Sequence, residues 1–504
     1  MGRTKHNCIL VVVVLFAAFS VAGCVPSRQR YYGRVHGRRT RSFQRWEDKE
    51  RREDLGKPAL EGPLDLEEAV RLTLACNTGI QAVLQEKERA RGRIVSAYSE
   101  ALPRVDLSAS YDRLDKVRSV DLGVETFQIG DRDNYSARVD ITQPLFKGGS
   151  ILIAQRAARI FRYLSDETIR QSVEDALFNT ATAYFDARLA EHLIEVQRAA
   201  LESATRHLNN VRSRRRHGTA TEYDVLRARV DLSNIRADLI EQQNARDQAV
   251  TGLMRAMGVS QRSNVELTTD MEYVRVEPDF VASVKRAFAN RPDIYQAELN
   301  VDLQGESLKE AYSRYWPRME AYFWNLWSKP DPHESSRIAW GEQWQAGLRL
   351  NWPLFDGLAR EGRIVQEEAL LRQKEILLSD AEERAVQEVQ NTILELQNAR
   401  ELVESQRLNL RRADRALKLV QSGYKEGVNT EVEVLDARGA LTRARGLYFQ
   451  ALHRHTVARV QLRKVEGILG PVPGKTEEPE EMVDPERVLT TIDRPANEVE
   501  GAER

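Results

Sequence analysis

This chain is written twice, and a doubled chain must build one structural unit two times over, so the repeat bounds everything else about it. Gln143-Pro144-Leu145-Phe146-Lys147-Gly148 recurs as Trp352-Pro353-Leu354-Phe355-Asp356-Gly357, 209 residues later. The same offset carries Gly218-Thr219-Ala220-Thr221-Glu222-Tyr223-Asp224-Val225-Leu226 onto Gly427-Val428-Asn429-Thr430-Glu431-Val432-Glu433-Val434-Leu435. Upstream the offset becomes 214: Ile80 matches Ile294, and Leu102-Pro103-Arg104 matches Trp316-Pro317-Arg318. The change falls between those motifs, where a loop absorbs it.

Each half reads as a helical piece, an extended segment opening on Pro-Arg, a variable loop, a second extended segment ending on Pro-Leu-Phe, and two very long helices. The first of these helices is expected from about Gly149 to Arg215 and again from about Leu358 to Tyr424, with no proline in either stretch. At 1.5 Å per residue such a helix is a rod on the order of 100 Å, where ordinary helices run about 8 to 20 residues. A seven-residue stripe marks the second rod at Val389, Leu396, Val403, Leu410 and Leu417, with Ala399, Gln406, Ala413 and Val420 interleaved. Ala190, Gln197, Ala204 and Val211 repeat the interleaved set in the first rod. This is coiled-coil packing, and its small residues suit a wall of side-by-side helices. A soluble spacer coiled coil is the alternative, but it has no use for the extended segments.

Those segments alternate with period two. Val105, Leu107, Ala109 and Tyr111 alternate with Asp106, Ser108, Ser110 and Asp112, and Tyr135, Ala137, Val139 and Ile141 with Ser136, Arg138, Asp140 and Thr142. In the fourth, Trp344, Ala346, Leu348, Leu350 and Trp352 face one way and Gln343, Gln345, Gly347, Arg349 and Asn351 the other. The third, Arg318 to Trp327, alternates poorly and its register stays open. Segments of about ten residues, apolar outward and aromatic at the rims, are the signature of outer-membrane barrel strands, although a sandwich strand also alternates. Four strands cannot close a barrel, since the smallest have about eight and an open edge in lipid is forbidden. Closure therefore needs other chains, and three protomers supply twelve strands, enough for a wet interior.

The ends carry targeting signals. Arg3 and Lys5 precede the apolar run Ile9 to Phe19, followed by Val21-Ala22-Gly23 and Cys24. The run is short for a retained span, and the small-small-Cys ending resembles the bacterial lipobox, which makes Cys24 the expected lipidation site. The alternative is an ordinary signal peptide with an incidental cysteine. Residues 1–23 are thus a signal peptide. Residues 24–62 are an arginine-dense leader, either flexible and solvated or lying against anionic headgroups. Residues 63–270 and 271–470 are the two repeats, and 471–504 are a Pro- and Glu-rich tail expected to be disordered. With 75 Lys+Arg against 76 Asp+Glu, the chain lacks the bulk positive charge of a nucleic-acid binder. After cleavage only Cys24 and Cys76 remain, which excludes cysteine metal clusters and, with Cys24 acylated, a disulfide.

No enzyme motif stands. Gly470-Pro471-Val472-Pro473-Gly474-Lys475-Thr476 imitates a phosphate loop but is one residue short and runs into the acidic tail. His453 and His455, at i and i+2, do not meet on a helix. Met254 and Met257 form one helical pair, which is no thioether path. No cofactor and no metal are expected.

The doubled architecture, the Pro-Leu-Phe strand-to-helix junctions and the Gly-x-x-Thr-Glu turns together resemble the TolC-like outer-membrane efflux protein family, from about Leu64 to Gly470. The fold so implied is mainly α with a small β part: a long coiled-coil α-barrel protomer plus four transmembrane strands of a trimeric twelve-stranded barrel. The resemblance implies a homotrimeric duct through outer-membrane lipid, without catalysis, driven by a periplasmic adaptor and an inner-membrane pump or ABC transporter. It implies that Glu433 and Asp436 line the periplasmic entrance, where three copies of each would favour cations and raise the carboxylate pKa values. An exposed acidic helix turn is the plain alternative. Asp224 and Tyr424 match partners in a hydrogen bond holding the entrance closed. Asn429 stands where another closing contact of the family uses arginine. Gly218 and Gly427 fit left-handed helix ends and Thr221 and Thr430 fit caps, in turns where the adaptor is expected to dock. Small-molecule efflux, protein secretion and a poreless lipid-tethered coiled-coil scaffold are the functions weighed.

Overall fold

The computed structural model describes residues 28–51, 58–121, 126–334 and 338–470. The signal peptide, Cys24, the phosphate-loop imitation beyond Gly470 and the acidic tail lie outside the described residues. The chain forms two units, one of Met1–Gly62 with Val259–Asn264 and one of Pro63–Gly258 with the residues from Val265 onward. In the first, α1 (Arg28–Arg51) occupies much of the stretch expected to be flexible leader. The Ser260 N–H donates to the Pro58 carbonyl and the Asn264 N–H to the Leu60 carbonyl.

The larger unit holds both repeats, element for element. In the first, α2 (Leu66–Cys76), α3 (Thr78–Val83) and α4 (Gln85–Ser99) precede the sheet. Their counterparts 214 residues on are α5 (Phe280–Asn290) and α6 (Pro292–Ser313), the latter running unbroken where the former pair is interrupted at Leu84. The rods are α7 (Ser150–Arg216) and α8 (Ala359–Lys425), each of 67 residues, returned by α9 (Glu222–Met257) and α10 (Glu431–Val465). Rods of this length persist because nothing in them interrupts the ladder and because much of their stripe is buried: in the second rod Val389, Leu396, Ala399 and Val403 are at most 1% exposed, while Leu410, Ala413, Leu417 and Val420 nearer the tip are half-buried. Three apolar clusters hold the unit. One joins Val70, Leu74 and Ile80 to Ile169, Val173 and Leu177; a second joins Ala287 to Val389, Ile393 and Leu462; a third, towards the far end of the first hairpin, joins Ala204, Leu208 and Val211 to Val225 and Leu232. His455 is buried among the helices with its ring 5.1 Å from Tyr273, and Met254 and Met257 are core residues.

The four long strands form one antiparallel sheet in the order β1 (Arg104–Arg113), β2 (Asp133–Lys147), β3 (Arg318–Lys329), β4 (Gly341–Asn351). Its register places Leu107 opposite Val139, Ile141 opposite Phe323 and Ala321 opposite Leu348. Directly opposed residues point to the same side, so one face carries Val105, Leu107, Ile141, Phe323, Trp344 and Leu350. It is broken by Asn325, whose amide donates to Glu342 at 2.7 Å. The opposite face explains why the third strand alternates poorly: Tyr322 and Trp324 point to the polar side, where Arg349 lies 4.9 Å over one ring and Arg138 4.5 Å over the other. Gly347, opposite Tyr322, leaves room for that ring; a Cβ there would lie 2.8 Å from its hydroxyl. The strands β1 and β4 are the two edges. Leu107 is 75% and Leu348 68% exposed, an apolar surface with unsatisfied edges that a lone protomer leaves uncovered.

Candidate functional site: the hairpin tips

Two helical hairpins end side by side, one turning between α7 and α9 and the other between α8 and α10. Both turns use the same local chemistry. Gly218 and Gly427 sit at φ +76° and +81°, a region that disfavours residues with a Cβ, and let the chain reverse. Thr221 and Thr430 then cap the returning helices in full capping boxes. The Thr221 N–H and hydroxyl both donate to Asp224 Oδ2 at 2.8 Å; the Thr430 N–H donates to Glu433 Oε2 at 2.8 Å, and Asn429 Nδ2 adds a bond at 3.0 Å.

These bonds favour the charged form of two of the expected site residues. The Thr221 N–H and hydroxyl hold the Asp224 carboxyl below the usual carboxylate range. The Asn429 amide, with the Thr430 N–H, holds Glu433 below it as well. In the single chain Glu433 is therefore a helix cap as well as an exposed acid. Asp436 stands one turn further along α10, exposed, and its repeat counterpart is Arg227, so the acidic pair belongs to the second half alone. Asn429 occupies the place of the expected arginine and leans over Gly423, where a Cβ would lie 1.9 Å from Asn429 Oδ1.

Tyr424 bonds elsewhere than expected. Its hydroxyl donates to Glu431 Oε2 at 3.4 Å, while Asp224 is taken up by Thr221; burial and then the Glu431 charge raise the Tyr424 pKa, and burial and then the Asp224 charge raise that of Glu431. The sequence reading overlooked the centre of this cluster. His207, 3% exposed on α7, places Nε2 3.2 Å from Glu431 Oε1, and Arg214 lies 4.5 Å over the Tyr424 ring. Burial, with Arg438 and Arg214 beside it, pushes His207 down to about 4. It is thus neutral at neutral pH, and its contact is an Nε2–H donating to a carboxylate rather than an ion pair. Burial also lowers Arg438 and raises Asp231, whose charges partly compensate each other. A signal was present: Glu431 repeats Glu222 and Arg438 repeats Arg229, but His207 falls opposite Ala416. Glu222 is exposed and pairs with Arg215. The buried cluster is specific to the contact between the two hairpins of one chain.

Among the described residues no cluster has the ligands for a metal ion, and no helix is long and apolar enough to cross a membrane. A small sheet with an apolar outer face, continued by paired rods and ending in polar tips, is the build of a subunit of a membrane duct. The family model described as "Outer membrane efflux protein" matches residues 69–259 and 284–467. Outer membrane protein TolC of Escherichia coli strain K12 is 23% identical over 405 residues, 78% of this chain and 80% of that protein. Alkaline protease secretion protein AprF of Pseudomonas aeruginosa is 24% identical over 414 residues, 81% of this chain and 85% of that protein. The crystal structure of outer membrane protein VceC of Vibrio cholerae shares the fold, with a TM-score of 0.68 at 16% identity over 80% of this chain and 96% of that one. The chain belongs to the outer membrane efflux protein family, and it is the exit-duct component of an export system.

Proposed function

We propose that three copies of this chain form one tunnel, their twelve strands closing a barrel in the outer membrane and their rods continuing it across the periplasm. The observation that carries this is the open sheet: β1 and β4 expose both edges and an apolar face, and an open edge has no place in lipid. The division into signal peptide, leader, two repeats and tail follows the sequence boundaries, with Cys24 acylated and holding the mature chain to the membrane. The tips form the entrance, with Glu433 and Asp436 facing its axis and Asp224, Tyr424 and the His207–Glu431 cluster holding it shut. A periplasmic adaptor docks at the turns around Gly218, Thr221, Gly427 and Thr430, and an inner-membrane pump or ABC transporter supplies the energy. The duct catalyses nothing, takes no cofactor and binds no nucleic acid. Both small-molecule efflux and type I protein secretion fit a passive exit.

Single-channel recording of the detergent-purified protein in a planar bilayer tests this. A small, cation-preferring conductance blocked by a trivalent cation is the expected result. Correctly assembled protein that never conducts over a range of voltages defeats the proposal.

A further inference from the structure

The leader is the part of the chain that the duct reading does not use, and it is built in a particular way. Between Arg28 and Arg45 it has seven arginines and no acidic residue, yet it forms one helix, α1. At about 100° per residue, Tyr31, Tyr32, Val35, Phe43 and Trp46 fall within an arc of about 120°. Arg34, Arg38, Arg41 and Arg45 fall within an arc of about 60° that flanks the apolar one, its centre about 110° round the helix. The four aromatic residues are 52 to 60% exposed, and the Phe43 and Trp46 rings lie 5.8 Å apart, forming one patch. Arg39 alone among the arginines with described side chains enters the apolar arc, and a long stem lets its charge rise out of such a face.

Aromatic and aliphatic residues on one face, bordered along its edge by a row of arginines, are the composition of a helix that lies in a membrane interface, where the charged edge meets the headgroups. Among the described residues no helix is long and apolar enough to span, so α1 lies flat if it meets lipid. Position supplies the rest. Four residue steps separate Cys24 from Arg28, at most about 14 Å of extended chain, so acylation of Cys24 delivers the start of α1 to the headgroups. We infer that α1 is an interfacial anchor whose aromatic face inserts into the leaflet that receives the Cys24 lipid and whose arginine face binds anionic phospholipid headgroups. This rests on the proposed anchoring at Cys24 and outer-membrane placement, and adds to them a second attachment specific for lipid charge.

The test uses the full acylated chain in nanodiscs of phosphatidylcholine alone or with added phosphatidylglycerol. In a Cys76→Ser background, Ser42→Cys (within the apolar arc) or Gln44→Cys (opposite to it) carries an environment-sensitive dye. With anionic lipid, the dye at position 42 is expected to shift to the blue and to be quenched about threefold more strongly by shallow nitroxide lipids than in neutral discs. The dye at position 44 is expected to change little. Added salt weakens the effect, because the charges are screened, and Arg34→Glu with Arg38→Glu and Arg41→Glu abolishes it. Equal quenching in both discs overturns the inference. So does a blue shift at position 42 whose size depends on protein concentration at fixed lipid, which would mean that a second copy of the chain covers the face. The mass of the N-terminal peptide and the conductance of the same preparation report independently on acylation and on the duct, so a failure of α1 to bind is separable from a failure of either.

Discussion

His207 on α7 and Glu431 at the first turn of α10 meet at 3.2 Å, joining the two hairpins of one chain at the end where the tunnel is proposed to close. His207 stays neutral there down to about 4, against about 6.5 when solvated. A loosened tip therefore takes up a proton before the packed tip does. The contact is at full strength above about pH 6.5 and weakens as pH falls towards 4. Glu431, raised by burial and by Asp224, acts with the opposite sign, since a packed tip prefers it protonated; Arg214, Arg438, Asp224 and Asp231 supply the remaining charge around the pair. Open probability in single-channel records is expected to rise on acidification from pH 6.5 to 5, and His207→Gln is expected to flatten or reverse that slope. A variant whose pH profile superimposes on the wild type sinks the assignment.

The acids proposed to line the entrance need a more careful substitution than alanine. Glu433 closes a capping box on Thr430, so Glu433→Ala both removes a charge and frays the tip, whereas glutamine is also accepted at that place of the box. Glu433→Gln with Asp436→Asn is expected to keep the helical content of the wild type and to weaken trivalent block of the conductance about tenfold or more. If block survives this pair, the acids do not face the axis. Thr430→Ala, which touches only the cap, is expected to cost about 1 kcal/mol and to leave the block unchanged.

The rods and the repeat were legible because they are long: a stripe sustained along a 67-residue helix is hard to mistake, and the observed ends of α7 and α8 lie within a residue of the expected ones. The caps and left-handed glycines were legible because their chemistry is local. What escaped depends on contacts between distant elements. The register of β3 is hidden in the sequence because Tyr322 and Trp324 sit on the polar face under Arg349 and Arg138, partners contributed by other strands. Glu431 reads like its twin Glu222 until packing against α7 buries one and leaves the other exposed. The helix α1 was hidden by its charge density, which reads as solvated chain unless the angular positions of its aromatics are plotted.

The two strand-to-rod junctions differ in how much room they leave. Gly148 and Gly357 both have positive φ, +65° and +72°, but a Cβ at Gly148 would lie 2.3 Å from the Ser313 carbonyl oxygen, while nothing lies within 4 Å at Gly357. Gly357→Ala is expected to cost about 1 kcal/mol of strain, and Gly148→Ala several times that, because backbone must move. Leu358, 64% exposed, holds φ +70° where the first repeat has Gly149. Leu358→Gly is expected to be neutral to about 1 kcal/mol stabilising, since relief of strain exceeds the added freedom of the unfolded chain. Melting curves of the purified protein order the three variants; equal effects at Gly148 and Gly357 count against the close approach to Ser313.

Glu174 carries the last prediction. It is 3% exposed, and its Oε1 lies 3.8 Å from Arg170 without a hydrogen-bond partner. Arg170 is engaged by Glu167 at 2.6 Å and by the Asn290 carbonyl oxygen. Burial therefore outweighs the neighbouring guanidinium and pushes the Glu174 carboxyl up to about 8, so at neutral pH the contact joins a cation to a neutral acid. Because the folded value lies above the unfolded one of about 4.5, the unfolded chain releases this proton first as pH rises. The contribution of Glu174 to stability is complete below about pH 4.5 and is lost progressively up to about pH 8. Glu174→Gln keeps the shape and removes the titration. Its melting temperature relative to the wild type is expected to climb between pH 5 and pH 8 and then level off. A difference that stays constant across that range means that Glu174 is ionised in the fold, with Arg170 as a true ion partner.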